Sequence, residues 1–538
     1  MERDRDADLA TLRAVHAAAE RGEFASAAQL AEPALAAGLE HPLLYNVLAI
    51  GHEQRGEVEA AAALLARGVA RFPNDEGLRN ALGLALLRLE RWDAALLEFD
   101  ALLALSPALP FGHASRGVAL LALGALDRAE ASHRRALELD PRQPVALAGL
   151  AQIAVRRGRH HEARSLAERA LAALPGYPDA LTTLAAAEIG LGEPAAAAAR
   201  LERLLADPRI RGPERAYAQG LLGDARDAEG DAPAAFRAYG AQNAELKTYY
   251  AARFAKGQGA RDAVEATTAY FESCAAWPAA APAAADVKGH VFVLGFPRSG
   301  TTLLEVALEG DPAVLSLGEN ELLIDGVREY LAGPAGLERL AAADDKTLAK
   351  LRVAYWSRAR EAGAEPAGRV FLDKHPLNTL KLPLIARLFP AANVVFVYRD
   401  PRDVVLSCYR RRFQMSAPMY ELLTLEGAAR FYASVMRLAE VFEAKLPIAL
   451  ARVRYEALVR DFDGEMQWLC SALGITWSAA IRDFAARTER RAHATPSTAQ
   501  LARGLDASGI GAWHRYAREL EAVRPILEPW VRALRYED

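Results

Sequence analysis

Pro73, Pro107, Pro141 and Pro175 each stand 34 residues after the last. Ala27, Ala61, Ala95, Ala129, Ala163 and Ala197 keep the same step, and so do Gly22, Gly56, Gly124, Gly158 and Gly192, with Glu90 in the one place where the glycine is missing. A repeat this strict constrains the chain more than its composition does. Each unit is too small to bury its own apolar face and must pack on its neighbours. The apolar residues between the markers recur at helical spacing, as in Ala81, Leu82, Ala85, Leu86 and Leu89. The glycine lies five residues before the alanine, in a turn between two helices where a left-handed backbone is needed. The alanine sits where two helices approach closely, and the proline stops the second helix.

One further unit is marked by Gly230 and Ala235, four residues out of step with the rest. The period and marker positions resemble the tetratricopeptide repeat over roughly residues 8–250, with about six regular units and this irregular one. The resemblance implies a curved all-α solenoid that binds a protein or peptide, or acts as a scaffold or homodimer surface. Tyr45, Trp92, Phe99, Phe111 and Tyr177 read as packing residues of the repeats. The chain has 538 residues, 52% hydrophobic and 25% charged, with a formal net charge of −4. That balance gives no bias toward nucleic acid or an anionic membrane. The three cysteines, Cys274, Cys408 and Cys470, form no C-x-x-C pair and suit a reducing compartment. No apolar run reaches the ~18 residues of a membrane span, and the first residues, MERDRDADLA, lack the apolar core of a signal peptide. A cytoplasmic location is expected.

Residues 275–285, AAWPAAAPAAA, break the pattern. The expected division is a repeat array over 8–255, a helical and Ala-Pro linker over 256–287, and a second domain over 288–538. That domain opens with HVFVLGFPRSGTTLLEVALEG at 290–310. His290–Leu294 reads as a buried parallel strand, Gly295–Thr302 as a tight loop, and Thr301 onward as a helix. Strand, glycine loop and helix together aim backbone N–H groups at a phosphate. Against the nucleotide-triphosphate pattern G-x-x-x-x-G-K-[ST], Gly295, Gly300 and Thr302 fit. Thr301 stands where the lysine belongs, and the cation sits earlier, at Arg298. The missing lysine disfavours an ATPase or kinase.

A second nucleotide segment reads NVVFVYRDPRDVVLSCYRRR at 393–412. Val394–Tyr398 is another β-branched strand, Asp400 an N-cap and Pro401 a first helical residue. Arg399 thus falls at the carboxyl end of a strand, where open α/β sheets bind ligands. Ser407 returns to the same helix face as Asp400 two turns later. Such an arginine and serine can clamp a phosphate monoester. The run Arg410, Arg411, Arg412 reads as a solvated helix face, with contact to an acidic acceptor as the alternative.

The string GFPRSGTT resembles the 5′-phosphosulfate loop of sulfotransferases, and the arginine–serine pair eight residues apart resembles their 3′-phosphate grip. The resemblance covers most of 288–520. It implies that Arg298, Ser299, Gly300, Thr301 and Thr302 hold the 5′-phosphosulfate of 3′-phosphoadenosine 5′-phosphosulfate, and that Arg399 and Ser407 hold its 3′-phosphate. In protein-tyrosine sulfotransferases a Gly-Glu-Glu segment supplies the base. Here Gly318, Glu319, Asn320, Glu321 stand in its place, so Glu319 is the expected base, with Glu321 and His375 as rivals. Lys374 in FLDKHPLN, after a strand at Arg369–Leu372, is the expected sulfuryl-stabilising cation, assisted by Arg298. Tyr455 in VRYEALV is the expected adenine contact. The tail 495–516 matches at Thr495, Pro496, Ser497, Gln500, Gly511, Trp513 and Tyr516. It departs at Gly504 and Ala512, where the family has proline and arginine, and Ser497 is taken as a donor contact.

The implied architecture is a tetratricopeptide solenoid followed by a P-loop-like α/β domain with a central parallel sheet. The implied activity is metal-free transfer of a sulfuryl group to a hydroxyl. The repeats are expected to capture a protein or peptide whose tyrosine is the acceptor, while a carbohydrate, lipid or small phenol stays open. The competing readings are a nucleotide kinase or NTPase with a degenerate loop, and a non-catalytic repeat scaffold.

Overall fold

The computed structural model describes residues 5–255, 259–274, 276–281, 286–485 and 504–536. They form two compact units, Met1–Leu191 and Gly192–Asp538.

In the first unit, eleven helices among the described residues run from Arg5–Glu20 to Pro178–Gly190. Each packs on the next in the chain, and the first helices of successive repeats pack on one another. The marker residues do what their chemistry requires. Gly22, Gly56, Gly124 and Gly158 all have left-handed backbones, and Glu90 is forced to φ 57° in the same turn. The repeat geometry therefore imposes the conformation even on a residue with a Cβ, at a cost of roughly 1 kcal/mol. The alanines at 27, 61, 95, 129 and 163 are fully buried. Second helices end at Arg71, Leu105, Leu139 and Ala173, two residues before each proline. Tyr45 and Phe99 are buried as packing residues, whereas Phe111 is exposed.

The second unit is built on five strands: β1 (Gly289–Gly295), β2 (Val314–Ser316), β3 (Val370–Lys374), β4 (Asn393–Tyr398) and β5 (Ala449–Arg454). All pair in parallel, in the order β2-β3-β1-β4-β5. Alternate residues feed two separate cores, as a period of two demands. Phe292, Leu294, Phe371, Val394 and Phe396 face one, and Val291, Val293, Val370, Leu372, Val395 and Val397 face the other. After β1 the chain moves toward β2 on one side, and after β4 toward β5 on the other. The carboxyl ends of β1 and β4 therefore flank the topological switch point, where such sheets open a crevice.

The last repeat helices, Gly212–Ala228 and Ala232–Phe254, lie within this second compact unit. The cause is a buried ion cluster. Arg410, expected in a solvated run, instead pairs with Asp227 at 2.5 Å, each side chain being 14% exposed. Asp227 also takes a hydrogen bond from the Tyr516 hydroxyl at 2.5 Å and pairs with Arg515 at 2.9 Å. Burial pushes the Asp227 carboxyl up, but Arg410, Tyr516 and Arg515 outweigh it and hold it below its ordinary value. The segment read as linker contains the helix Ala260–Ser273, whose Phe271 is fully buried against Trp277 and Phe442. Two aromatic anchors make it a core element.

Replacing Asp227 with alanine leaves the Arg410 guanidinium buried without its carboxylate. Urea unfolding of the second unit is expected to lose about 3 kcal/mol or more. A loss within experimental error would show that the cluster is not what joins the last repeat to the sheet.

Candidate active site

Four strands deliver the site at one edge of the sheet. β1 runs into the loop 296–300, β3 ends on Lys374 with His375 next, Arg399 directly follows β4, and Tyr455 directly follows β5. The register sets Val293 beside Lys374 and Gly295 beside Val397, so these ends lie level with one another.

The loop is tightly specified. Arg298 holds φ 70°, rare for a residue with a Cβ, and Gly300 holds φ 108°. A Cβ on Gly300 would meet the Tyr455 ring at 2.4 Å, so only glycine lets the tyrosine close on the loop. Thr379 Oγ1 donates to the Gly295 carbonyl at 2.8 Å and fixes the start of the turn. The helix Thr301–Leu308 then begins at Thr301, as the sequence predicts.

The two expected anion subsites adjoin. Arg298 Nε donates to Ser407 Oγ at 3.1 Å. Arg399 Nη1 donates to the Arg298 carbonyl at 3.0 Å, and Nη2 to the Gly509 carbonyl at 2.6 Å. The Arg399 guanidinium lies over the Tyr455 ring, 4.8 Å from its centroid. Asp400, the expected N-cap, accepts from the Arg402 N–H at 2.8 Å and pairs with the Arg402 side chain at 2.9 Å. Burial pulls the Arg298 guanidinium down to about 10, and the nearby cations Arg411 and Arg399 add to the shift. It stays charged at neutral pH. Among the described residues, the buried Ser299 Oγ and Arg399 Nε have no hydrogen-bond partner. Buried polar atoms without partners are costly and rare; Arg399 lines the cavity, whereas Ser299 is 1% exposed and does not.

The acid–base groups are arranged differently. Lys374 is 1% exposed and sits between two carboxylates, 2.6 Å from Glu319 and 3.3 Å from Glu305. Glu305 is fixed by the Ser316 hydroxyl at 2.6 Å. Burial pushes the Glu319 carboxyl up, but Lys374, with His375 and Arg298, outweighs it and holds it below its ordinary value. Glu321 is turned to Lys381 at 2.5 Å and to His375 Nε2 at 3.1 Å. Burial, with Lys381 nearby, lowers His375 to about 4, so its ring is neutral at physiological pH. Its Nδ1 is buried and has no partner among the described residues.

Arg298, Gly300, Thr301, Thr302, Glu319, Glu321, His375, Arg399 and Tyr455 all line one cavity of about 950 Å³. Lys374 and Ser407 stand behind that lining, each bonded to a residue in it. Ser497, with Thr495, Pro496 and Gln500, lies outside the described residues. Gly511 and Trp513 donate their backbone N–H groups to Asp403 at 2.7 and 2.9 Å, and Trp513 stacks under Arg402 at 3.9 Å. They anchor the tail on the helix Pro401–Arg410. Sequence reasoning missed Gly509, the carbonyl that orients Arg399, and Lys381, which takes Glu321. Neither carries a motif signal. Among the described residues no group of three or more His, Cys, Asp or Glu side chains could hold a metal.

Residues 290–479 match the sulfotransferase family, and residues within 12–178 and 154–224 match tetratricopeptide repeats. The chain thus joins a region that matches the sulfotransferase family to a region that matches tetratricopeptide repeats. An uncharacterised protein of Aquifex aeolicus is 25% identical over 46% of this chain and 33% of its own length. Protein-tyrosine sulfotransferase 2 of Gallus gallus is 26% identical over 36% of this chain and 52% of its own. The chain thus spans between a third and about half of these two relatives. A crystal structure of a tetratricopeptide repeat protein from Parabacteroides merdae aligns over 45% of this chain and 93% of that one, at 17% identity and a TM-score of 0.36. The family match contains Arg298, Arg399, Glu319 and Glu321 of the cavity.

Because the folded value of Glu319 is depressed, its pair with Lys374 stabilises the fold above the ordinary glutamate value of 4.5, and that contribution vanishes as pH falls through the folded value. In Lys374→Met, burial acts on Glu319 without its main counter-charge. A carboxyl-resolved NMR titration should show its pKa rising by about one unit or more. An unchanged titration would mean that Lys374 does not control this carboxylate.

Proposed function

We propose that the second unit transfers a sulfuryl group from 3′-phosphoadenosine 5′-phosphosulfate to a hydroxyl acceptor. The observation that carries this reading is the bond from Arg399 to the Arg298 carbonyl, which brings two like-charged arginines to one cavity that Glu319 also lines. Their repulsion is relieved by an anion, and a donor with phosphate at one end and phosphosulfate at the other supplies two.

In this reading the loop Arg298–Thr302 holds the 5′-phosphosulfate, Arg399 and Ser407 the 3′-phosphate, and Tyr455 the adenine. Thr301 replaces the lysine that a triphosphate requires. Sulfuryl transfer, like phosphoryl transfer, needs little covalent help from protein. Positioning and charge stabilisation do most of the catalysis. Glu319 is ionised at neutral pH and takes the acceptor proton. The acceptor oxygen then forms a new S–O bond, the S–O bond to the bridging oxygen breaks, and its electron pair leaves on 3′,5′-adenosine bisphosphate. Arg298 stabilises the charge that develops on the leaving phosphate. Lys374 keeps Glu319 charged and oriented and lends positive charge to the sulfuryl oxygens. No step uses a metal. The tetratricopeptide array docks a partner protein. The three unpaired cysteines support a cytoplasmic location, and no helix among the described residues is long and apolar enough to cross a membrane.

Calorimetry with 3′,5′-adenosine bisphosphate tests the donor site. Arg399→Ala should weaken binding by about 10- to 100-fold, as expected for a lost charged hydrogen bond. Glu319→Gln should bind the nucleotide normally but lose about 10²- to 10⁴-fold in kcat for sulfuryl transfer. Wild-type protein that does not bind the nucleotide would end the reading.

A further inference from the structure

The cavity is large for one ligand. Small-molecule sites span roughly 300–1,000 Å³, and this one, at about 950 Å³, extends well beyond the arginines. Much of its remaining wall is apolar, with Ala263 and Val264 on the helix Ala260–Ser273, Leu377 and Leu380 after β3, and Met415 and Met419 beyond the helix Pro401–Arg410.

The charges along this arm are already engaged. Lys381 pairs with Glu321 at 2.5 Å, and Arg411 with Asp224 at 3.4 Å. Arg412 is exposed at the rim, over the Tyr217 ring at 4.7 Å. Asp224 and Tyr217 belong to the last repeat, which also packs Ala216, Leu246 and Tyr250 around Met415. The last repeat therefore packs on the wall of this arm and pairs one of its basic residues, Arg411, with Asp224.

We propose that the acceptor is an uncharged hydroxyl compound with an apolar body, an aryl alcohol in its simplest form, seated in this arm with its oxygen toward Glu319. The inference rests on the sulfuryl-transfer reading of the same site. An apolar body gains by leaving water for this wall. A peptide with acidic residues around its tyrosine must strip water from carboxylates against methyl, methylene and thioether groups, with no free cation to compensate beyond Arg412 at the rim. The arm thus rejects one acceptor class as well as favouring the other. The proton, the new S–O bond and the departing adenosine bisphosphate follow the same course as for any hydroxyl acceptor.

Full-length protein, supplied with 3′-phosphoadenosine 5′-phosphosulfate, is assayed with 2-naphthol and with an acid-flanked tyrosine peptide, and nucleotide binding is measured in parallel. The naphthol should have the higher kcat/KM. Ala263→Asp and Met419→Glu, both at half-buried positions of the wall, should each raise its KM by at least ~10-fold with 3′,5′-adenosine bisphosphate affinity unchanged, because a charge is set against an apolar ligand. If one variant fails to bind nucleotide and so has not folded, the other decides. A peptide preferred over the naphthol, or a folded variant with unchanged KM, overturns the apolar acceptor while leaving sulfuryl transfer standing. Absence of both nucleotide binding and transfer to either acceptor sinks the sulfuryl-transfer reading, and this inference with it.

Discussion

The guanidinium of Arg399 joins three parts of the chain that are far apart in sequence. It stands at the end of β4, donates to the carbonyl of Arg298 in the loop after β1, and donates again to the carbonyl of Gly509 in the C-terminal tail. Its aromatic neighbour, Tyr455, comes from the end of β5 and presses on Gly300. Using backbone carbonyls as acceptors orients the arginine without neutralising it, as a carboxylate would. That is why the left-handed backbone at Arg298 is tolerated. A strained residue persists where its surroundings over-determine it, and such positions concentrate at functional sites.

The strand order fixes where this can happen. Only at the carboxyl ends of β1 and β4 do successive connections diverge and leave a crevice. The helix Pro401–Arg410 starts at that crevice and carries Ser407 on one turn and Arg410 on the next. One end therefore faces the anion site, and the other is locked by Asp227 of the last repeat. Asn243, also in the last repeat, holds the Tyr409 carbonyl at 2.8 Å. The placement of Ser407 thus depends on repeat helices that resemble the rest of the array in sequence but pack as part of the α/β unit.

Local features were legible in the sequence, and long-range pairings were not. The period of 34 located the turns, the buried alanines and the helix stops, down to the left-handed Glu90. The strand–loop–helix pattern located the tight loop between β1 and the helix Thr301–Leu308, and the arginine–serine spacing placed Ser407 near it. Within each repeat unit and each motif the signal is local, where backbone geometry and side-chain type are coupled. The fate of Arg410 could not be read, because its partner Asp227 lies 183 residues away and a basic run looks the same whether solvated or buried. The burial of the helix Ala260–Ser273, expected as part of a helical linker, was hidden for a related reason. It lies beside a low-complexity Ala-Pro stretch, and what makes it core is the contact of Phe271 with Phe442. Gly509 contributes only a carbonyl, which any residue could supply.

Two kinds of buried charge meet in this cavity, and their difference orders the chemistry. Lys374 is compensated by Glu305 and Glu319, so it can be removed from water almost completely. Arg298 is buried among cations that lower its pKa, and Arg399 keeps an unpartnered Nε. The compensated group maintains the charge of a carboxylate. The two arginines supply positive charge to the cavity that both line. A site balanced on one side and electron-poor on the other has a direction. Its arginines lie toward the loop after β1, and Glu319 is 40% exposed.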